Sequence, residues 1–109
     1  MKYEFNTANV CSNPLIIWIK DFRFVELAEL DDGRWIFGGW FTSDDLSHIE
    51  VYPCSMMNGT FAFKSAALSY IYHLIKDMEI KNQASYRIML DYLSIETSSA
   101  YESLQLSLF

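Results

Sequence analysis

Residues 31–41 read DDGRWIFGGWF, and the reading of this stretch decides the fold. Asp32-Gly33 is a strong hairpin signal, because glycine accepts the positive φ that a tight turn demands. Trp35, Ile36, Phe37, Trp40 and Phe41 follow at once, large β-forming residues on both parities of one strand. A strand with a single buried face alternates apolar and polar side chains. This one does not, so apolar groups fall on both faces of its sheet. Gly38-Gly39 invites a bulge or a close backbone approach.

Working outward, FRFVELAEL (22–30) supplies the other arm of the hairpin, although its charges would also suit a helix. A two-residue loop pairs Leu30 with Trp35, Ala28 with Phe37 and Phe24 with Phe41. A three-residue loop shifts every pair by one and reshuffles the faces. Either register leaves apolar groups on both. LIIWIK (15–20), entered after the Asn13-Pro14 turn, reads as a strand. HIEVY (48–52) reads as another, ended by Pro53, and Asn58-Gly59 turns into TFAF (60–63).

The period then changes. From Ser65, a candidate N-cap, Ala67, Tyr70, Ile71, Leu74, Ile75 and Met78 form one helical stripe that stops near Lys81-Asn82. A second stripe, Tyr86, Met89, Leu90 and Leu93, predicts a helix over about 83–96. In the tail, Ser99 and Glu102 form a capping box that favours a short helix, while SLQLSLF alternates as a strand would. The expected class is α+β: one domain over 1–109, with an antiparallel sheet of about four strands followed by two or three helices on one face. The second face then needs a cover: the N-terminal segment, the C-terminal tail, a second copy of the chain, or a foreign partner.

The chain carries a net charge of −6, with half its residues hydrophobic (51%) and 17% aromatic, which argues against disorder. Its start, MKYEFNTANV, has no apolar signal region, and no apolar run spans a bilayer. The expectation is a cytoplasmic protein without membrane contact. Between 26 and 50, Glu26, Glu29, Asp31, Asp32, Asp44, Asp45 and Glu50 face Arg34 alone, a local charge of −6. Such a field repels phosphate backbones, so direct nucleic-acid binding is disfavoured, and it attracts basic protein surfaces. It also serves solubility.

Motifs for chemistry do not assemble. Cys11, Cys54, His48 and His73 have zinc-ligand types, but no close pair nucleates a site. The cysteines read as small buried side chains, His48 as a surface residue and His73 as a partly buried one. Cys54, His48 and Glu50 make a triad only on paper. Asp31-Asp32 and Asp44-Asp45 lie at opposite ends of a strand, on the order of 25 Å apart, and cannot share a metal. Each pair reads as a solvated turn that asparagine could replace with little effect on the fold. No catalytic residue, metal or cofactor is expected.

The order of elements, with RWIFGGWF ahead of SAALSYIYHLIK, resembles small inhibitor proteins of phages and mobile elements, anti-CRISPR proteins among them. The acidic, aromatic composition also looks like that of bacterial toxin-immunity proteins. The resemblance covers residues 22–80 and carries over no functional residue. What it implies is a non-enzymatic protein that occludes a larger, basic target stoichiometrically. On that expectation Glu29, Asp31, Asp32, Asp44 and Asp45 steer the partner, and Trp35 and Trp40 anchor it. The alternative is a homo-oligomeric accessory domain, a homodimer for example, that pairs through its own second sheet face.

Overall fold

The computed structural model describes residues 2–18 and 20–95. The protein has an α+β architecture: strands β1 (Leu15–Trp18), β2 (Phe24–Glu29), β3 (Trp35–Thr42) and β4 (Ile49–Ser55), then helix α1 (Lys64–Asn82) and a second helix, α2, over 87–95. The strands form an antiparallel meander in the order β1-β2-β3-β4. The expected tail, helix or strand, lies outside the described residues.

The hairpin at the centre takes the longer loop. Leu30 N–H donates to Arg34 O at 2.7 Å and Gly33 N–H to Leu30 O at 2.9 Å, closing a loop over Asp31, Asp32 and Gly33. Gly33 sits at φ +89°, the left-handed position such loops require. Phe24 therefore pairs with Trp40, Leu27 with Phe37 and Ala28 with Ile36. The shorter loop would have put Phe24 beside Phe41, and the one-residue slip moves Trp40 and Phe41 to opposite partners.

The first face carries Val25, Leu27, Phe37 and Phe41, all buried beneath Ala67, Leu68, Ile71, Ile75 and Met78 of α1 and Met89, Leu90 and Leu93 of α2. The α2 stripe is the one read from periodicity, whereas in α1 Leu68 is buried as well and Tyr70, expected in the stripe, is 46% exposed. The start of α1 differs: its N-cap is Phe63, which has no side-chain acceptor, and Ser65 lies inside the helix. The helix closes on Gln83 in the left-handed conformation. Tyr86 and its turn are held by Glu79, whose Oε2 accepts the Tyr86 N–H at 2.9 Å, and by Asn82, which donates to the Tyr86 hydroxyl at 2.7 Å. His73 is exposed, edge-on to Tyr72, and does not pack inward as expected.

Two strand boundaries also differ. β4 continues through Pro53 to Ser55, because the register slips there: Gly39 faces Tyr52, while Phe37 faces Ser55. An exposed proline at such an irregularity removes no needed ladder bond. Residues 60–63 form no strand; only Phe61 is bridged, to Trp35. A Cβ on Gly38 would lie 2.4 Å from Cys54 N and 2.5 Å from Tyr52 O, so that position excludes every other residue.

One end of the second face is closed by the N-terminal segment. Cys11 N–H donates to Cys54 O at 2.9 Å, which attaches this segment to the end of β4. By Leu15 the chain lies beside Leu27 of β2, so it crosses the sheet between these two points. Cys11 closes a small cluster with Ala28, Ile36 and Cys54, flanked by Tyr3 and Leu30. Of the four candidate covers, the N-terminal segment is therefore one, but it reaches only this end.

Candidate functional site

No described residue covers the other end of the second face. By register Ile16, Glu26 and Gly38 lie abreast, as do Phe24, Trp40 and Val51 in the next row. Ile16 is 53% exposed and Val51 55%, with Ile49 exposed beyond them opposite Thr42. Phe22, 58% exposed, stacks on Trp40 with ring centroids 6.2 Å apart, and Phe24 stacks on the same indole at 5.7 Å. Three aromatic rings and three aliphatic side chains thus meet on a face that no described element covers. Apolar surface gathered in this way marks interaction sites more often than isolated exposed residues do.

The turn that places Phe22 is unusual. Lys20 and Arg23 exchange backbone bonds, Lys20 N–H to Arg23 O at 3.2 Å and Arg23 N–H to Lys20 O at 3.0 Å. Between them Asp21 (φ 40°) and Phe22 (φ 61°) are both left-handed, a two-residue turn of the kind that favours Asn-Gly or Asp-Gly. A phenylalanine there is strained by about 1–2 kcal/mol relative to glycine. Two interactions hold it. Thr42 Oγ1 donates to Phe22 O at 2.6 Å, and the buried Arg23 reaches over the sheet end to donate from Nη2 to Ser43 O and Asp44 O, both at 2.9 Å.

The residues expected to bind a partner divide between the two ends of the sheet. Trp40, Asp44 and Asp45 lie at the open end. Glu29, Asp31, Asp32 and Trp35 lie at the other. Trp35 is also on the helix-covered face, half-buried against the main core and bridged to Phe61 by paired backbone bonds. It shares no surface with Trp40.

The acids are no uniform patch either. Asp44 accepts from Ser85 Oγ at 2.6 Å, Ile88 N–H at 3.0 Å and Arg87 N–H at 3.2 Å, so it caps the start of α2 from another element. Burial raises its pKa, but these hydrogen bonds and the Arg23 charge outweigh that, and the carboxyl falls below its ordinary value. Asp45 Oδ1 accepts from the Ser47 hydroxyl and amide and from the Ser43 hydroxyl, which together hold it at about 2. The expectation that both turns are merely solvated therefore fails at 44–45. Asp32 pairs with Arg34 at 2.7 Å, and Glu50 with Lys81 at 3.0 Å. Glu26, Glu29 and Asp31 make no hydrogen bond or ion pair among the described residues.

Glu26 and Phe22 are the residues that sequence reasoning missed as site members. Glu26 counted only as one of seven acids, yet it is half-buried in the middle of the open face, and burial pushes its carboxyl above the ordinary range. A signal was present: in strand parity Glu26 falls between Phe24 and Ala28, an acid where an apolar residue would be expected.

Cys54, His48 and Glu50 do not converge. Glu50 is paired across to Phe41 and bonded to Lys81 on the helix side, whereas Cys54 packs beneath the second face. His48 Nδ1 lies 2.9 Å from the Ser47 hydroxyl. Burial, with Cys11 and Glu26 nearby, pushes the Cys54 thiol up to about 12, the opposite of an activated nucleophile. Among the described residues no three His, Cys, Asp or Glu side chains gather as metal ligands, and no helix is long and apolar enough to cross a membrane. No protein-family model matches the chain, and no curated protein or solved structure is significantly similar to it.

Proposed function

We propose that this is a non-enzymatic binding protein that inhibits or neutralises a basic macromolecular partner, in the manner of an anti-CRISPR or immunity protein. The observation that carries the reading is the open aromatic face around Trp40, on a chain whose net charge is −6. Trp is among the residues that contribute most to protein interfaces, and ring pairs held by the sheet lose little entropy on binding. The unpaired acids Glu29 and Asp31 supply a long-range field, which speeds encounter with a cationic surface without adding much contact energy. Direct binding of nucleic acid is disfavoured by the same charge.

Capture from cellular extract, with wild-type chain and a Phe22→Gly variant in parallel, tests this reading. The expected result is a protein with a basic surface, held at one-to-one stoichiometry by wild type and released by rising salt. Retention of nucleic acid instead, or a tight dimer that captures nothing, contradicts it; the dimer would favour the self-associating accessory domain.

A further inference from the structure

We infer that the open half of the second sheet face docks a protein segment that sets a cationic side chain, flanked by apolar ones, against Glu26. This rests on the binding reading above and narrows it to one surface and one chemistry.

The first argument is charge complementarity. Glu26 is half-buried and has no base and no hydrogen-bond donor among the described residues. Its cross-strand neighbour is Gly38, which offers no side chain to cover it, and Ile16 lies on its other side. Any apolar occupant would strip the remaining water from this carboxylate and leave it unpaired, which is strongly unfavourable. A second copy pairing through the same face would bury two Glu26 carboxylates in one interface and bring that face no base to pair with them. A guanidinium or ammonium turns that penalty into an attraction. Trp40, on the diagonal from Glu26, lies where the apolar side chains flanking that cation would pack.

The second argument is Phe22. A glycine would relieve its turn, yet the chain places there a large aromatic residue that is mostly in water and stacked on Trp40. Strain kept at an exposed apolar side chain points to a use for that side chain in contact with something else.

The test uses the full chain and two synthetic probes, an alternating Leu-Arg octapeptide and its Leu-Glu counterpart, both blocked at their ends and dye-labelled. Titration is followed by fluorescence anisotropy for wild type, Glu26→Gln, Phe22→Gly and an Asp31→Asn/Asp32→Asn double variant. Urea midpoints confirm folding; Phe22→Gly removes strain and Glu26→Gln removes a half-buried charge, so both variants fold. The expected result is that wild type binds the Leu-Arg peptide but not the Leu-Glu peptide. Affinity should fall at least tenfold in Glu26→Gln and in Phe22→Gly, and less than twofold in the double variant. Equal binding by Glu26→Gln and wild type overturns the proposal, as does an equal loss in the double variant, which would mean that any acid serves. A wild-type dimer abolished by Phe22→Gly also overturns it, because the occupant is then a second copy. If Glu26→Gln and Phe22→Gly still capture a basic cellular protein as wild type does, only the docking site is wrong. If no form captures one, the binding reading itself falls.

Discussion

Asp44 and Asp31 belong to one acidic segment and do opposite things. Asp44 joins the β3–β4 loop to the first turn of α2 by accepting from the Arg87 and Ile88 amides, whereas Asp31 is exposed and unbonded. Asp44→Ala should therefore lower unfolding free energy by about 1–2 kcal/mol in urea titration, the usual cost of a lost cap. Asp31→Asn should stay within about 0.5 kcal/mol of wild type. The same acids set the acid limit of stability. Asp44 and Asp45 both titrate lower in the folded chain than in the unfolded one. What they contribute is complete above about pH 4 and is lost as pH falls toward about 2, so stability should drop across that window. Glu26 has the reverse sign: its folded pKa is raised above 4.5, so its charge opposes folding at neutral pH. Glu26→Gln should raise the urea midpoint at pH 7, and the gain should vanish below about pH 4.5, where the acid is protonated in both states. Cys11 and Cys54 are buried, and with the Cys54 thiol near 12 both should resist iodoacetamide at pH 8 until the chain is unfolded, as read by mass spectrometry.

Among the elements, the β3 strand and its glycines govern the fold. Gly38→Ala places a methyl group against β4 backbone and should cost about 3 kcal/mol or more, enough to unfold a small domain at room temperature or to leave it without a cooperative transition. Gly33→Ala meets no neighbour and suffers only from its positive φ, a cost of about 1–2 kcal/mol. Comparing the two by thermal unfolding separates steric exclusion from backbone preference. These elements were largely legible beforehand. The strands around DDG, the glycine pair at a close approach and both helical stripes follow from turn chemistry and period, which are local. Loop length was not legible, because Leu30 and Arg34 can close three residues as readily as the strands can close two; what differs is whether Val25 and Leu27, as observed, or Phe24 and Ala28 join Phe37 and Phe41 beneath the helices. The passage of β4 through Pro53 was hidden for the same reason. The pairing of Phe37 with Ser55, a tertiary contact, is what shows that the strand resumes beyond it.

On the scale of the whole molecule, the account rests on how the two faces of the sheet are covered. Excess aromatic residues on both parities of 35–41 already implied a second apolar face, and the structure bears that out. Which tryptophan it holds was beyond the sequence, since Trp35 and Trp40 lie on opposite faces of β3 in either register and the helices decide which face is covered: one is bridged to Phe61 beside α1, the other is stacked between β2 and the strained turn. The N-terminal segment closes one end of that face, and the claim is that the rest stands free for a partner. Hydroxyl-radical footprinting of the isolated full chain, read residue by residue, tests this most directly. Phe22 should be modified many times faster than the buried Phe37 and Phe41, at a rate that does not change as protein concentration rises tenfold. Phe22 protected to the level of Phe37 at all concentrations would mean that the chain covers the face itself, and protection that grows with concentration would mean that a second copy does; either result contradicts the account.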